Sequence, residues 1–222
     1  MSTMPAPVIC GQPDSVLAWF RSEAGRALLD SEQPLVAEAL GEQPARPWLW
    51  LAPDAQPVAV RAPGQGRGLA LAATAQGWTG KIRCALPLPL PSEAFCTVVL
   101  QHPAAGDIEG LLGEVARILQ PGGRLWLFAL NPVAPYRWRW RGLGLRAPEP
   151  LTWRRRLRGA GLHPDPVSRG VGPGWRLQPS TEPQHGPGLR ASYLIRAEKR
   201  SLPLTPVRAR RALRLAPGAT AG

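Results

Sequence analysis

Residues 84–132 read CALPLPLPSEAFCTVVLQHPAAGDIEGLLGEVARILQPGGRLWLFALNP, and this stretch decides the fold class. Thr97, Val98, Val99 and Leu100 form a short apolar, β-branched run behind a proline-rich approach. Such a run predicts a buried strand, since a parallel strand is covered on both faces and need not alternate. Asp107 predicts a helix start, because its carboxylate can accept a hydrogen bond from a free backbone N–H of the first turn. Ile108, Leu111, Leu112, Val115, Ile118 and Leu119 follow at three- and four-residue steps and make one apolar stripe. Pro121, Gly122 and Gly123 end that helix, and Leu125 to Leu130 supply a second apolar run. Strand, helix and parallel strand with tight turns make a βαβ unit with a right-handed crossover.

Outward from this block, the same reasoning extends to both ends. Asp14 or Ser15 predicts a helix cap, and Leu17, Phe20, Ala24, Ala27 and Leu28 keep helical spacing. Pro34 predicts a kink or restart before Leu35, Val36, Ala39 and Leu40. Trp48–Ala52 predicts the first strand, Leu69–Ala72 the second, ahead of a Gln76–Gly77 turn, and Lys81–Cys84 a brief third. The short, Pro- and Gly-rich segment between strands one and two predicts a helix reduced to a turn or two, and its Gly64, Gly66 and Gly68 a hairpin or loop. Toward the C-terminus, 151–159 predicts a basic helix with Trp153 and Leu157 on one face, ended by Gly161. Residues 162–169 predict a strand, 170–188 a long loop, and Ser192–Ala197 the last strand. Six or seven short strands alternating with helices predict an α/β, doubly wound, mostly parallel sheet in a single domain. The expected organisation is a flexible lead-in over 1–13, the domain over 14–200, and a basic, mobile tail over 201–222.

LPLPSEAFCTVVLQH (88–102) and EVARILQPGGRLWLFALNP (114–132) resemble the second half of a class I S-adenosylmethionine-dependent methyltransferase of the type 11 group. The matching residues are Leu88, Pro89, Phe95, Val98, Glu114, Val115, Arg117, Leu119, Pro121, Gly122 and Gly123. WFRSEAGRALLDSEQPLVAEAL (19–40) and ASYLIRAEKRSLPLTPVR (191–208) are similar to the flanks of a small bacterial branch of that group. The resemblance implies a Rossmann-like sheet of the class I methyltransferase type, S-adenosylmethionine as cofactor, and a methyl acceptor that the sequence does not name. It places Ala52, Asp54, Cys84, Leu86, Gln101 and His102 against the cofactor.

Several of these positions depart from the group's pattern. The loop after the first strand reads LAPDAQP, with Ala52 where the first glycine is expected and no GxG. Ala72, Ala73 and Thr74 stand where an acid would clamp the ribose hydroxyls, Cys84 where an acid would meet the adenine amine, and Cys96 replaces the Asp after Phe95. Each lost hydrogen-bond partner weakens binding by about 1 kcal/mol or more. Two function classes follow: a methyltransferase holding its cofactor by backbone and apolar contacts, or an inactive methyltransferase fold that serves as a binding module. His102 reads as a base, as a substrate contact or as a structural partner of a neighbouring group, and Asn131–Pro132 as a substrate-side element, a helix cap or a turn.

Charge is uneven along the chain. Residues 1–136 carry 9 basic and 11 acidic side chains, a net −2, whereas 137–222 carry 18 basic and 4 acidic, a net +14. The basic half suits RNA or another anionic partner, or is simply a solvated, arginine-rich surface. Tyr136, Arg137, Trp138, Arg139, Trp140 and Arg141 alternate ring and cation, which predicts an extended segment. It reads as a single-strand nucleic-acid contact, a membrane-surface contact, or a lid with its tryptophans on the core. Cys10, Cys84 and Cys96 show no CxxC pair, and His163 and His185 form no ligand pattern, so neither a disulfide framework nor a metal site is predicted. Without an apolar run of signal or membrane-spanning length, the expectation is a cytoplasmic protein.

Overall fold

The computed structural model describes residues 14–43, 45–54, 67–103, 106–176 and 184–200. Readings that fall on 1–13, 55–66, 177–183 and 201–222 lie outside the described residues; these include the glycine string before Gly68, the lead-in and the tail.

The described residues open with helices α1 (Asp14–Arg21) and α2 (Glu23–Gly41). Ser22 separates them as the cap of α2, its hydroxyl accepting the Gly25 N–H at 3.2 Å. Helix α2 runs through Pro34 as one element, in place of the restart read from the sequence. The strands β1 (Trp48–Ala52) and β2 (Gly68–Thr74) come next. The expected third strand over Lys81–Cys84 is instead a hairpin partner: β3 (Gly77–Gly80) turns back antiparallel on β2, and β4 (Arg83–Cys84) on β3. Gly77 makes the turn possible at φ +146, where a Cβ would stand 2.3 Å from the Cys84 carbonyl oxygen.

Strand β5 (Phe95–Gln101), helix α3 (Ile108–Ile118) and strand β6 (Leu119–Leu130) form the βαβ unit read from the sequence. Asp107 caps α3 by accepting the Gly110 N–H at 2.7 Å. Strand β6 starts at Leu119, before the Pro121-Gly122-Gly123 turn, because Leu119 already pairs with Phe95. A 3-10 helix (Pro135–Arg139) follows where the sequence predicts an extended segment. Pro135 at its first turn presets the backbone for a helix, and the ring-cation alternation wraps around it. Tyr136 and Trp140 turn inward while Trp138 stays out. Helix α4 (Pro150–Gly159), strands β7 (His163–Pro164), β8 (Arg169–Val171), β9 (Gln184–His185) and β10 (Ser192–Glu198) complete the described chain.

Among the described residues there are ten strands rather than six or seven, in the order β4-β3-β2-β1-β5-β6-β10-β8-β9, with β7 on β10. The centre, β2-β1-β5-β6, is parallel, and β10 lies antiparallel between β6 and β8. Strand periodicity sorts the core into two layers. Leu49 and Leu51, Val98 and Leu100, Leu125 and Leu127 pack with α3 and α4. Trp50 and Ala52, Val99, Trp126 and Phe128, Leu194 pack with α2. All seven residues of β5 are buried, as an unalternating run requires. Each large apolar side chain so covered contributes about 1.5–3 kcal/mol.

Candidate functional site

Strands β1, β2 and β5 are parallel, so Ala52, Thr74 and Gln101 end on one edge of the sheet. β4, antiparallel to β3, brings Cys84 to the same edge beside Trp78, itself paired with Ala73. From β1 the chain moves to β2, and from β5 it moves through α3 to β6 on the other side. The β1/β5 boundary is thus a topological switch point, where open α/β sheets leave a ligand crevice. Of the six residues the sequence assigns to a cofactor, Ala52, Asp54, Gln101 and His102 lie at this boundary; Cys84 lies three strands beyond β1, with Leu86 just past it.

Beneath the boundary lies a buried polar cluster that strand parity assembles. Gln101 and Trp50 share the α2 face of the sheet, as does Ser192 at the start of β10, and Glu32 comes down on them from α2. Gln101 Nε2 donates to Glu32 Oε2 at 2.9 Å, and Ser192 Oγ donates to Glu32 Oε1 at 2.5 Å. His102 Nε2 lies 3.0 Å from both Glu32 oxygens, and both side chains are buried to within 1%. Trp50 Nε1 donates to Gln101 Oε1 at 2.7 Å, which fixes the amide so that its nitrogen faces Glu32. Three residues therefore converge on a carboxylate able to accept from all of them. Burial without such partners would cost several kcal/mol, roughly, for a charge.

His102 closes the cluster from above. Its φ of 46 places a non-glycine residue in the left-handed region, as the chain turns out of β5. Its backbone N–H donates to the Phe128 carbonyl at 2.9 Å, and its ring stacks on Phe20 of α1 at 5.1 Å. This geometry makes His102 a structural partner of Glu32 and leaves its Nε2 turned inward.

Helix α1 also reaches the loop after β1. Arg21 Nε donates to Asp54 Oδ1 at 3.3 Å, and the Asp54 side chain is 9% exposed. The 3-10 helix is locked over the same region: Trp19 Nε1 donates to the Arg139 carbonyl and Tyr136 Oη to the Ala24 carbonyl, each at 3.0 Å. Burial raises the Tyr136 phenol above its ordinary range. Asn131 is a turn residue, its Oδ1 accepting the Val133 N–H at 3.2 Å, and its amide nitrogen lies within 2.8–3.2 Å of the carbonyls of Pro187, Gly188 and Arg190. Half-burial pushes the Cys84 thiol up, and Leu86 packs partly buried against the core. Among the described residues no group of three or more His, Cys, Asp or Glu could hold a metal ion, and no helix is long and apolar enough to cross a membrane.

Sequence reasoning missed Glu32, Ser192, Trp50 and Arg21. Glu32 had a signal: it falls four residues after Leu28 and four before Val36, inside an apolar helical stripe. A carboxylate in such a stripe requires buried donors. Ser192 and Trp50 had none, because their partners come from elements far away in sequence.

The described edge would offer an adenosyl cofactor small side chains rather than polar ones. Ala52, Ala72 and Ala73 stand at the ends of β1 and β2 and are 6–8% exposed. The side-chain hydrogen bonds are otherwise committed, with Gln101 and His102 to Glu32, Asp54 to Arg21, and Thr74 Oγ1 accepting from the Gln76 N–H at 3.3 Å. Backbone groups and apolar contacts are what the described edge offers.

Solved structures share this architecture. A S-adenosylmethionine-dependent methyltransferase from Thermotoga maritima, described as a possible histamine N-methyltransferase, superposes with a TM-score of 0.58 at 20% identity, over 82% of this chain and 94% of that one. The methyltransferase in complex with the Haloferax volcanii Trm112 activator gives 0.57 at 19% identity, over 84% and 98%. Geranyl diphosphate methyltransferase, solved with its diphosphate and sinefungin, gives 0.54 at 15%, over 76% of each chain. No protein-family model and no curated protein matches the chain. The fold is that of the class I methyltransferases: a mixed, Rossmann-like sheet with a parallel centre, in a single domain.

Proposed function

We propose that the chain is a S-adenosylmethionine-dependent methyltransferase of the type 11 group, acting on an unassigned acceptor. One observation carries the reading: the small-residue edge formed by Ala52, Ala72 and Ala73 adjoins the β1/β5 switch point of a class I sheet. Ala52, Asp54, Cys84, Leu86, Gln101 and His102 are its cofactor side. Ala52 gives close approach, Leu86 apolar cover, and the Arg21–Asp54 pair holds the loop after β1. Gln101 and His102 act from below, where the Glu32 cluster keeps the end of β5 in place.

The cofactor, when bound, supplies an already activated methyl group. The protein therefore contributes chiefly by binding and alignment, worth up to about 7–11 kcal/mol in well-oriented systems. Residues 14–200 work as one domain in this reading. A reducing, cytoplasmic setting agrees with the free thiols of Cys84 and Cys96.

Titration calorimetry with S-adenosylmethionine and S-adenosylhomocysteine tests the proposal. Saturable heat at micromolar ligand is expected, lost when Ala52→Trp fills the edge. No heat at millimolar ligand overturns it.

A further inference from the structure

The stretch from Asn131 to Pro148 contains Arg137, Arg139, Arg141 and Arg146 and no acidic residue. On it Trp138 stands 72% exposed, and Trp175, distant in sequence, is 73% exposed across a shared groove. That groove has a volume of about 570 Å³ and is lined by Pro135, Tyr136, Trp138, Arg139 and Trp175. A second depression of about 370 Å³ also borders Trp138 and adds Arg137 and Arg141. Arg141 lies over the Trp138 ring at 5.0 Å, and Arg139 over the Tyr136 ring at 5.3 Å. An indole left in water forgoes burial worth about 25 cal/mol per Å², so two facing one groove mark a binding surface.

We propose that this groove binds a single strand of nucleic acid, with bases stacked on Trp138 and Trp175 and phosphates met by Arg137, Arg139 and Arg141. Both halves of the chemistry are present. Indole faces stack on any base, and guanidinium groups match phosphate oxygens in pairs. A membrane surface fits less well. Helices that lie in lipid headgroups carry a continuous apolar face, whereas this five-residue 3-10 helix spends Tyr136 on the core and flanks Trp138 with arginines. The inference stands independently of the cofactor reading.

Fluorescence anisotropy with short labelled oligouridylate and oligothymidylate tests it on the full chain. Saturable binding is expected, with log K falling against log salt at a slope of about −2 for three phosphate contacts. Trp138→Ala and Trp175→Ala each lower affinity about tenfold, leave that slope in place, and Trp138→Phe restores most of the loss. Arg137→Gln with Arg141→Gln reduces the slope by about 1.4. Circular dichroism checks that these surface variants stay folded. The proposal is overturned if the tryptophan variants bind as the parent does, if heparin or duplex DNA competes as well as the single strand, or if phosphatidylserine vesicles bind where oligonucleotides do not.

Discussion

His102 Nε2 sits 3.0 Å from both carboxylate oxygens of Glu32, seventy residues away in sequence, with both side chains shut off from water. The pair ties α2 to the end of β5, the strand that borders the switch point. A buried carboxylate with convergent donors is costly to disturb from either side.

Glu32→Gln is therefore expected to destabilise the fold by about 3 kcal/mol, since an amide nitrogen would then face donors. Ser192→Ala, which removes one donor of several, should cost about 1 kcal/mol. Urea midpoints of both variants and of the double variant check this. Strict additivity of the two changes would contradict a shared cluster.

At position 102 the backbone separates two effects. Glycine tolerates φ 46, whereas alanine pays the left-handed strain without keeping the imidazole. His102→Ala should be less stable than His102→Gly by about 1 kcal/mol. Equal midpoints for the two variants would count against a left-handed His102.

A second carboxylate holds the loop before β5. Glu114 pairs with Arg117 at 2.8 Å and accepts the Leu88 N–H at 2.8 Å, while Arg117 donates to the carbonyls of Leu88 and Leu90. The hydrogen bond from Arg117 holds the Glu114 carboxyl below its ordinary range, with burial opposing and the Leu88 N–H assisting. A folded-state pKa that is depressed gives stability present above the unfolded value, about 4.3, and lost as pH falls through the folded one. Glu114→Gln should cost about 1–2 kcal/mol at neutral pH, and the gap to the parent should close in acid. Urea midpoints at pH 7 and at the lowest pH that keeps both proteins folded measure that gap. A gap that is constant down to that acid limit would refute the clamp.

Cys84 offers a probe of the crevice edge. Burial lifts its thiol above the ordinary value, so its thiolate forms late as pH rises. Alkylation by iodoacetamide, followed peptide by peptide with mass spectrometry, should reach half its maximal rate above the pH of about 8.5 typical of a free thiol. Half-maximal reaction at or below that pH would contradict the half-buried position.

Much of this molecule is written locally. The βαβ unit, the Asp107 cap, the buried run of β5 and the Trp153/Leu157 face of α4 follow from side-chain period and capping chemistry, which act within a few residues. The motif residues Glu114 and Arg117 were also visible, although only the structure shows them clamping Leu88 and Leu90.

Tertiary packing decided the rest. Two-residue alternation on three strands brings Trp50, Gln101 and Ser192 to one face, and only the docking of α2 delivers Glu32 to them. The ring-cation alternation of 136–141 has a strand's period, yet the inward pull of Tyr136 and Trp140 and the preset turn at Pro135 coil it into a 3-10 helix. β3, too, folds back as a hairpin because Gly77 lets the backbone pass close to Cys84. By itself the sequence determined the helices, the central strands and their order, because propensity and period are short-range. Which polar groups meet, and which tryptophans remain in water, was decided by contacts across the sheet, whose energies depend on partners no local pattern encodes.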